Sequence, residues 1–288
     1  MTLVMEREPA DNADFVVRPL SSTFAAEIIG LDLRRKLSDS VRRRVYDAFV
    51  QYHVIAFRDQ KLTKDEQIAF SEQFGTLERH IARNRGSDNP LVHMVTNLGP
   101  DGKPSGTVKS TTWHTDKSFR PEPSLATILH AVTMPPNGGD TCFANMYAAY
   151  DALGEADKAL LDGLRVIHSW ELSQAKSGKQ APPEEIADAP PMSHPLVRVH
   201  PDTGRKCLFM GEHASHIDGW PMAKGRELLA RLEAHATAER FMYRHNWHAG
   251  DLLMWDNRCL LHRADSNFDA ALYPRVLHRT CLRGTAPG

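Results

Sequence analysis

Behind Ser38, a residue type that favours helix N-caps, Val41, Val45, Ala48, Phe49 and Tyr52 recur at helical spacing and predict a helix with one apolar face. The unbroken apolar run Val54–Phe57 stops at Arg58-Asp59-Gln60, as expected for a buried strand. Thr63 and Glu66 form a capping-box pair ahead of Ile68, Phe70 and Phe74, and Gly75 closes that second helix. Short strands are expected at Phe15–Pro19 and Ala26–Ile29. From Leu125 onward strand-like stretches crowd together, at 125–132, 140–144, 164–169, 195–200, 206–210, 241–245, 251–255 and 274–282. Helices over 147–162 and 222–238 interrupt them. His200-Pro-Asp-Thr-Gly204 has the residues of a hairpin turn. Two stretches, 83–110 and 173–193, are polar and lack an apolar period, so they read as functional loops or lids. Many short strands separated by turns predict a mainly β protein with flanking helices around a jelly-roll-like core, as one domain over residues 1–288.

Charge changes this picture little. Lysine plus arginine number 35 against 36 aspartate plus glutamate, so no basic excess marks a nucleic-acid binder. No apolar run approaches the ~20 residues that span a membrane, and the first residues lack a secretory h-region, so a cytoplasmic protein without membrane or nucleic-acid partners is expected. The four cysteines, Cys142, Cys207, Cys259 and Cys281, are far apart and contain no C-x-x-C, which argues against structural zinc and against a disulfide scaffold. Histidine is the unusual count: 15 of the side chain that most often binds metals and titrates near neutrality.

Nucleotide-binding glycine loops, H-E-x-x-H and G-x-S-x-G are all absent, and Ser173-Gln-Ala-Lys176 matches S-x-x-K without any companion motif. The pattern H-x-D occurs three times. On a strand it sends both side chains to one face, and with a distant histidine it makes the facial triad of non-haem Fe(II) oxygenases. His200–Asp202 straddles a proline in the turn, where Asp202 is expected to bond its own backbone. His216–Asp218 runs into Gly219. His114–Asp116 lies among Thr111, Thr112, Trp113 and Phe119 and is the favoured pair. His262, on the second of two apolar stretches after Asp251, is the candidate third ligand. Arg275 and Arg279 are four residues apart on the last strand and share a face. Facing inward, they imply bound carboxylates; facing outward, they are ordinary surface charges.

Taken together, Val54–Gln60, Phe74-Gly75, Trp113-His-Thr-Asp116, Pro136–Thr141, Ala148–Leu153, His200–Lys206, Trp255–Arg258, His262-Arg263 and Arg275 resemble the taurine dioxygenase / 2,4-dichlorophenoxyacetate dioxygenase family of Fe(II)- and 2-oxoglutarate-dependent enzymes. The resemblance implies a double-stranded β-helix, cupin-like core. It implies that His114, Asp116 and His262 bind iron, that Thr141 and Arg275 hold the distal carboxylate of 2-oxoglutarate, and that Arg279 pairs with the acid group of the primary substrate. Trp255 falls near the metal and is equally readable as a core tryptophan. His80 falls where taurine-type members place a sulfonate-binding histidine, and His213 falls in the aryloxyacetate-type motif Gly211–His216. Trp113, Phe119 and Trp220 are candidate apolar walls. The implied reaction consumes O₂ and 2-oxoglutarate, yields succinate and CO₂, and hydroxylates a small anionic acid. An aryloxyalkanoate, cleaved at its ether to a phenol and an oxo acid, is favoured over a taurine-type alkylsulfonate. A cupin-like zinc hydrolase or another metal protein would use the same three ligands but leave Thr141 and Arg275 without a role. A non-catalytic binding module is the remaining alternative, and self-association is left open.

Overall fold

The computed structural model describes residues 15–79, 89–176, 178 and 180–288. The chain runs β1 (Val16–Pro19), β2 (Ala26–Ile29), α1 (Asp39–Tyr52), β3 (Val54–Phe57), α2 (Lys64–Ser71), β4 (His93–Thr96), β5 (Ser124–Thr133) and β6 (Thr141–Asn145). It continues through α3 (Met146–Asp151), α4 (Glu155–Leu161), β7 (Arg165–His168), α5 (Trp170–Lys176), α6 (Pro183–Asp188), β8 (Met192–Pro195), β9 (Val197–Val199), β10 (Lys206–Leu208) and β11 (Ala214–Ile217). The last elements are α7 (Met222–Ala236), β12 (Met242–His245), β13 (Leu252–Asp256), β14 (Leu260–Ala264) and β15 (Val276–Arg283).

The expected caps are in place. Ser38 accepts from the Val41 N–H, and Thr63 and Glu66 bond reciprocally at the start of α2. One sheet has the order β1-β2-β3-β13-β5-β15-β4, antiparallel except where β2 runs beside β3. Smaller sheets β12-β6-β14 and β11-β7-β8, with the β9–β10 hairpin, complete the jelly roll.

Alternation along the central strands explains why their sequences are apolar throughout. Val54 and Ala56 of β3, Leu129 and Ala131 of β5, and Leu253 and Trp255 of β13 join the core between the sheets. Their neighbours Ile55, Phe57, Ile128, Leu252 and Met254 face the opposite way and pack with Val41, Val45 and Phe49 of α1 and Phe70 of α2. Both faces are covered, so neither face needs polar residues.

Three expectations are corrected. The helix over 147–162 is two helices, α3 and α4, separated around Gly154, whose extended backbone (ψ 157°) starts the second one. The stretch 83–110 contains β4, which pairs with β15, and part of it lies outside the described residues. The stretch 173–193 overlaps the short helices α5 and α6 and the start of β8. These are elements of one or two turns, or four residues, held by contacts from elsewhere rather than by a readable period of their own. Among the described residues no helix is long and apolar enough to cross a membrane. All four cysteines are buried and free.

Candidate active site

His114 and His262 exchange both backbone N–H···O bonds, at 3.0 and 2.8 Å, so the segment carrying His114 is laid along β14. This closely paired register brings the two imidazoles to 4.2 Å between centroids. Asp116, two residues on, shares their side. One ligand atom from each of His114, Asp116 and His262 lies within 4.8 Å of the others, and all three residues are buried. The His262 Nε2 is 3.9 Å from Asp116 Oδ2.

The surroundings prepare each group as a ligand. His114 Nδ1 sits 2.8 Å from the Thr112 carbonyl; donating there leaves Nε2 with its lone pair. Burial pushes His262 well below its ordinary range and keeps it neutral, as a ligand must be. Its Nδ1 has no hydrogen-bond partner among the described residues. Burial alone would raise the Asp116 carboxyl. Arg279, the two histidines and a hydrogen bond from Thr127 more than offset it, so the group is held far below the usual carboxylate range. A buried carboxylate flanked by two imidazoles fits a divalent non-haem metal with open coordination positions.

Thr141, at the start of β6, accepts the Trp247 indole N–H at 2.9 Å. Arg275 stands just ahead of β15 and is 4% exposed. Its Nε donates to the Gly139 carbonyl at 2.9 Å, and among the described residues no carboxylate forms an ion pair with it. Burial pulls its pKa down to about 10, partly offset by the charge of Asp140. Gly139 makes this approach feasible: with φ at +71°, a Cβ there would lie 3.3 Å from Arg275 Cδ and Nε and 3.0 Å from Pro135. A buried guanidinium with no anion of its own is costly, and an incoming carboxylate relieves that cost.

Arg279, inside β15, is placed differently; Arg275 precedes that strand and the register shifts between Val276 and Leu277, so the expected two-residue period does not link the two arginines. The Arg279 Nη1 is 3.1 Å from Asp116 Oδ1, so the carboxylate that this inward arginine meets is the metal-site aspartate itself. His213 bonds Ser118 through Nδ1 at 3.1 Å and packs against Phe119 (4.8 Å) and Trp170 (6.1 Å). Burial pushes it down to about 3, which leaves it neutral at physiological pH. Trp113 carries Arg263 over its ring, and Trp220 carries Lys224. Trp255 is both core residue and site neighbour, with its ring 4.8 Å from that of His262. His80 lies outside the described residues.

The other two H-x-D pairs are structural. His200 bonds Asp256 at 3.0 Å, and Asp202 does not turn back on its own backbone as expected. It accepts from Tyr46 at 2.8 Å and pairs with Arg258 at 2.8 Å, because the hairpin packs against α1 and the β13–β14 turn. His216 contacts Ser215 and Asp218 contacts Ser193. His200, Asp256 and Cys259 also cluster tightly. There the Arg258 guanidinium grips both oxygens of Asp256 at 2.8 and 2.7 Å, filling with a cation the place a metal would take.

Three residues of the site escaped sequence reasoning as functional groups. Thr127 is a polar side chain inside an otherwise apolar strand, which is a weak signal. Asn257 lies within the Trp255–Arg258 motif. Trp247 carries no signal, because nothing local says that its N–H meets Thr141.

A profile of the taurine catabolism dioxygenase TauD, TfdA family matches residues 17–281. The chain is 42% identical over 261 residues to an alpha-ketoglutarate-dependent 2,4-dichlorophenoxyacetate dioxygenase of Cupriavidus pinatubonensis, covering 86% of this chain and 91% of the relative. It is 36% identical over 269 residues to an (S)-phenoxypropionate/alpha-ketoglutarate-dioxygenase of Sphingobium herbicidovorans, covering 87% and 89%. Among solved structures it superimposes on AAD-2, crystallised with Mn(II) and N-oxalylglycine, with a TM-score of 0.84 and 37% identity over 95% of this chain and 98% of that one. The chain belongs to the taurine catabolism dioxygenase TauD, TfdA family.

Proposed function

We propose that this chain is an Fe(II)- and 2-oxoglutarate-dependent dioxygenase that hydroxylates an aryloxyalkanoic acid beside its ether oxygen, releasing a phenol and an oxo acid. The observation that carries this reading is the pairing of a buried His-Asp-His set with Arg275, a buried arginine left without a carboxylate, which bonds Gly139 two residues ahead of Thr141. The substrate class is supported by the activities named for the two relatives, and N-oxalylglycine in the similar structure is a diacid of the same length as 2-oxoglutarate.

His114, Asp116 and His262 would hold the iron, which with O₂ and 2-oxoglutarate supplies oxidative decarboxylation coupled to C–H hydroxylation. Arg275 and Thr141 would fix the distal carboxylate of the cosubstrate. Thr141 is suited to donate, because its oxygen already accepts from Trp247 and its own hydrogen remains available. Arg279 would meet the substrate's acid group while sharing its charge with Asp116. His213, being neutral, would contribute a hydrogen bond and an aromatic wall rather than a counter-charge, with Phe119 and Trp170 behind it. Residues from 114 to 279 converge here, so the described chain acts as one unit. Buried free thiols suit a reducing cytoplasm.

The test is a panel of acids assayed aerobically for substrate-dependent succinate with Fe(II), 2-oxoglutarate and ascorbate. Aryloxyacetates and aryloxypropionates should drive succinate and phenol formation, and their amides or esters should not. Oxidation of taurine but not of aryloxy acids would overturn the substrate while leaving the chemistry. No succinate with any acid would overturn the whole reading.

A further inference from the structure

We propose that Asn257 is a positioning residue for the metal site, setting the orientation of the Asp116 carboxylate through Thr127; this rests on His114, Asp116 and His262 holding the metal. Asn257 stands in the turn between β13 and β14, five residues ahead of His262. One end of its amide faces two groups that can only donate: the Trp255 indole N–H at 3.1 Å and the Asp116 backbone N–H at 3.4 Å. That end is therefore Oδ1, and Nδ2 points the other way, 2.9 Å from Thr127 Oγ1.

The rest follows from counting hydrogens. A hydroxyl has one, and the Thr127 oxygen already receives the Asn257 N–H. Its own hydrogen goes to Asp116 Oδ2, the nearest acceptor; the Cys281 sulfur is more distant at 3.7 Å. Arg279 meanwhile holds Oδ1 at 3.1 Å. The carboxylate is thus held at both oxygens, with Oδ2 kept at the edge facing His262. The backbone of Asn257 adds a second clamp, because its carbonyl accepts from Thr115 at 2.6 Å and its N–H donates to Leu125 at 3.0 Å. One residue therefore ties the segment bearing His114 and Asp116 to the hairpin bearing His262. Groups that orient a ligand in this way typically change metal affinity roughly 10- to 100-fold when removed.

The experiment titrates the metal-free chain with Co(II), following the visible absorption bands and the dissociation constant. Thr127→Val keeps the shape and loses the hydrogen bond; it should weaken Co(II) binding roughly 10-fold or more and alter the bands, whereas Thr127→Ser should stay within about 3-fold of the parent. Asn257→Leu should weaken binding similarly, and the losses should add to less than their sum in the double variant, since the Asn257 amide N–H reaches the carboxylate through the Thr127 hydroxyl. Parent-like binding by Thr127→Val, or losses that add in full, would overturn the proposal. Should Asn257→Leu fail to fold, the Thr127→Val and Thr127→Ser pair decides it. His262→Ala separates the two levels. If it binds Co(II) like the parent, the metal-site reading itself falls; if it loses binding while Thr127→Val does not, only the role of Asn257 and Thr127 falls.

Discussion

At the scale of single residues, the cosubstrate end of the site turns on which atom owns which hydrogen. Trp247 can only donate, so Thr141 accepts from it and has its own hydrogen left for an anion. Trp247→Phe keeps a ring in this buried place but frees the hydroxyl to turn. One ordinary hydrogen bond is worth about 1 kcal/mol, so KM for 2-oxoglutarate should rise about 5-fold with kcat nearly unchanged. Arg275→Ala removes the charge itself, and the loss of about 2–5 kcal/mol should raise that KM roughly 30-fold or more. Steady-state kinetics against 2-oxoglutarate check both. Unchanged dependence in Arg275→Ala would defeat the cosubstrate assignment, whereas a neutral Trp247→Phe beside a crippled Arg275→Ala would defeat only the orientation of Thr141.

Among the elements, the contact that matters most is the one laying residues 113–116 against β14. Gly211 supports that segment from the other side. Its φ is +122°, and a Cβ there would come within 3.0 Å of the Trp113 carbonyl and 3.2 Å of His114 Cα, while the next N–H, of Glu212, donates to that carbonyl at 2.8 Å. Gly211→Ala should therefore lower stability by about 1–3 kcal/mol and displace His114. Urea unfolding of the metal-free chain and Co(II) titration check this; a variant that matches the parent in both would show that the His114 segment yields freely. The helix caps are legible in the sequence, since Ser38, Thr63 and Glu66 act on their immediate neighbours. The short elements α5, α6 and β4 are not, because a helix of six or seven residues is marginal alone and β4 exists only as a partner of β15.

The molecule as a whole should be acid-sensitive for a reason that does not involve the metal-binding side chains. His53, left-handed at the end of α1 and 5% exposed, packs its ring on Tyr147, and its Nδ1 has no partner among the described residues. Burial lowers its pKa to about 4, against about 6.5 when unfolded. Between those values the unfolded chain binds the extra proton, so stability is full above pH 6.5, falls as the pH drops, and levels off below 4. The loss attributable to this one histidine is about 3 kcal/mol by pH 4. Urea midpoints across pH 4–7 should show this slope, and His53→Asn, which tolerates the left-handed backbone, should flatten it even if its stability at pH 7 is lower. An undiminished slope would place the acid sensitivity in other groups.

What the chain's own order of residues determined was local or periodic. The apolar strands and the capped helices rest on spacings along one element, and periodicity converts such a spacing directly into a shared face. What only the tertiary structure decided was pairing between distant segments. His262 opposite His114, Trp247 on Thr141, Asn257 on Thr127 and Arg279 on Asp116 link residues from 106 to 163 positions apart. Such pairs are set by strand register and by the packing of the two sheets. Hydrogen-bond complementarity between an indole and a hydroxyl, or an amide and a hydroxyl, has no signature until the fold brings the partners within about 3 Å.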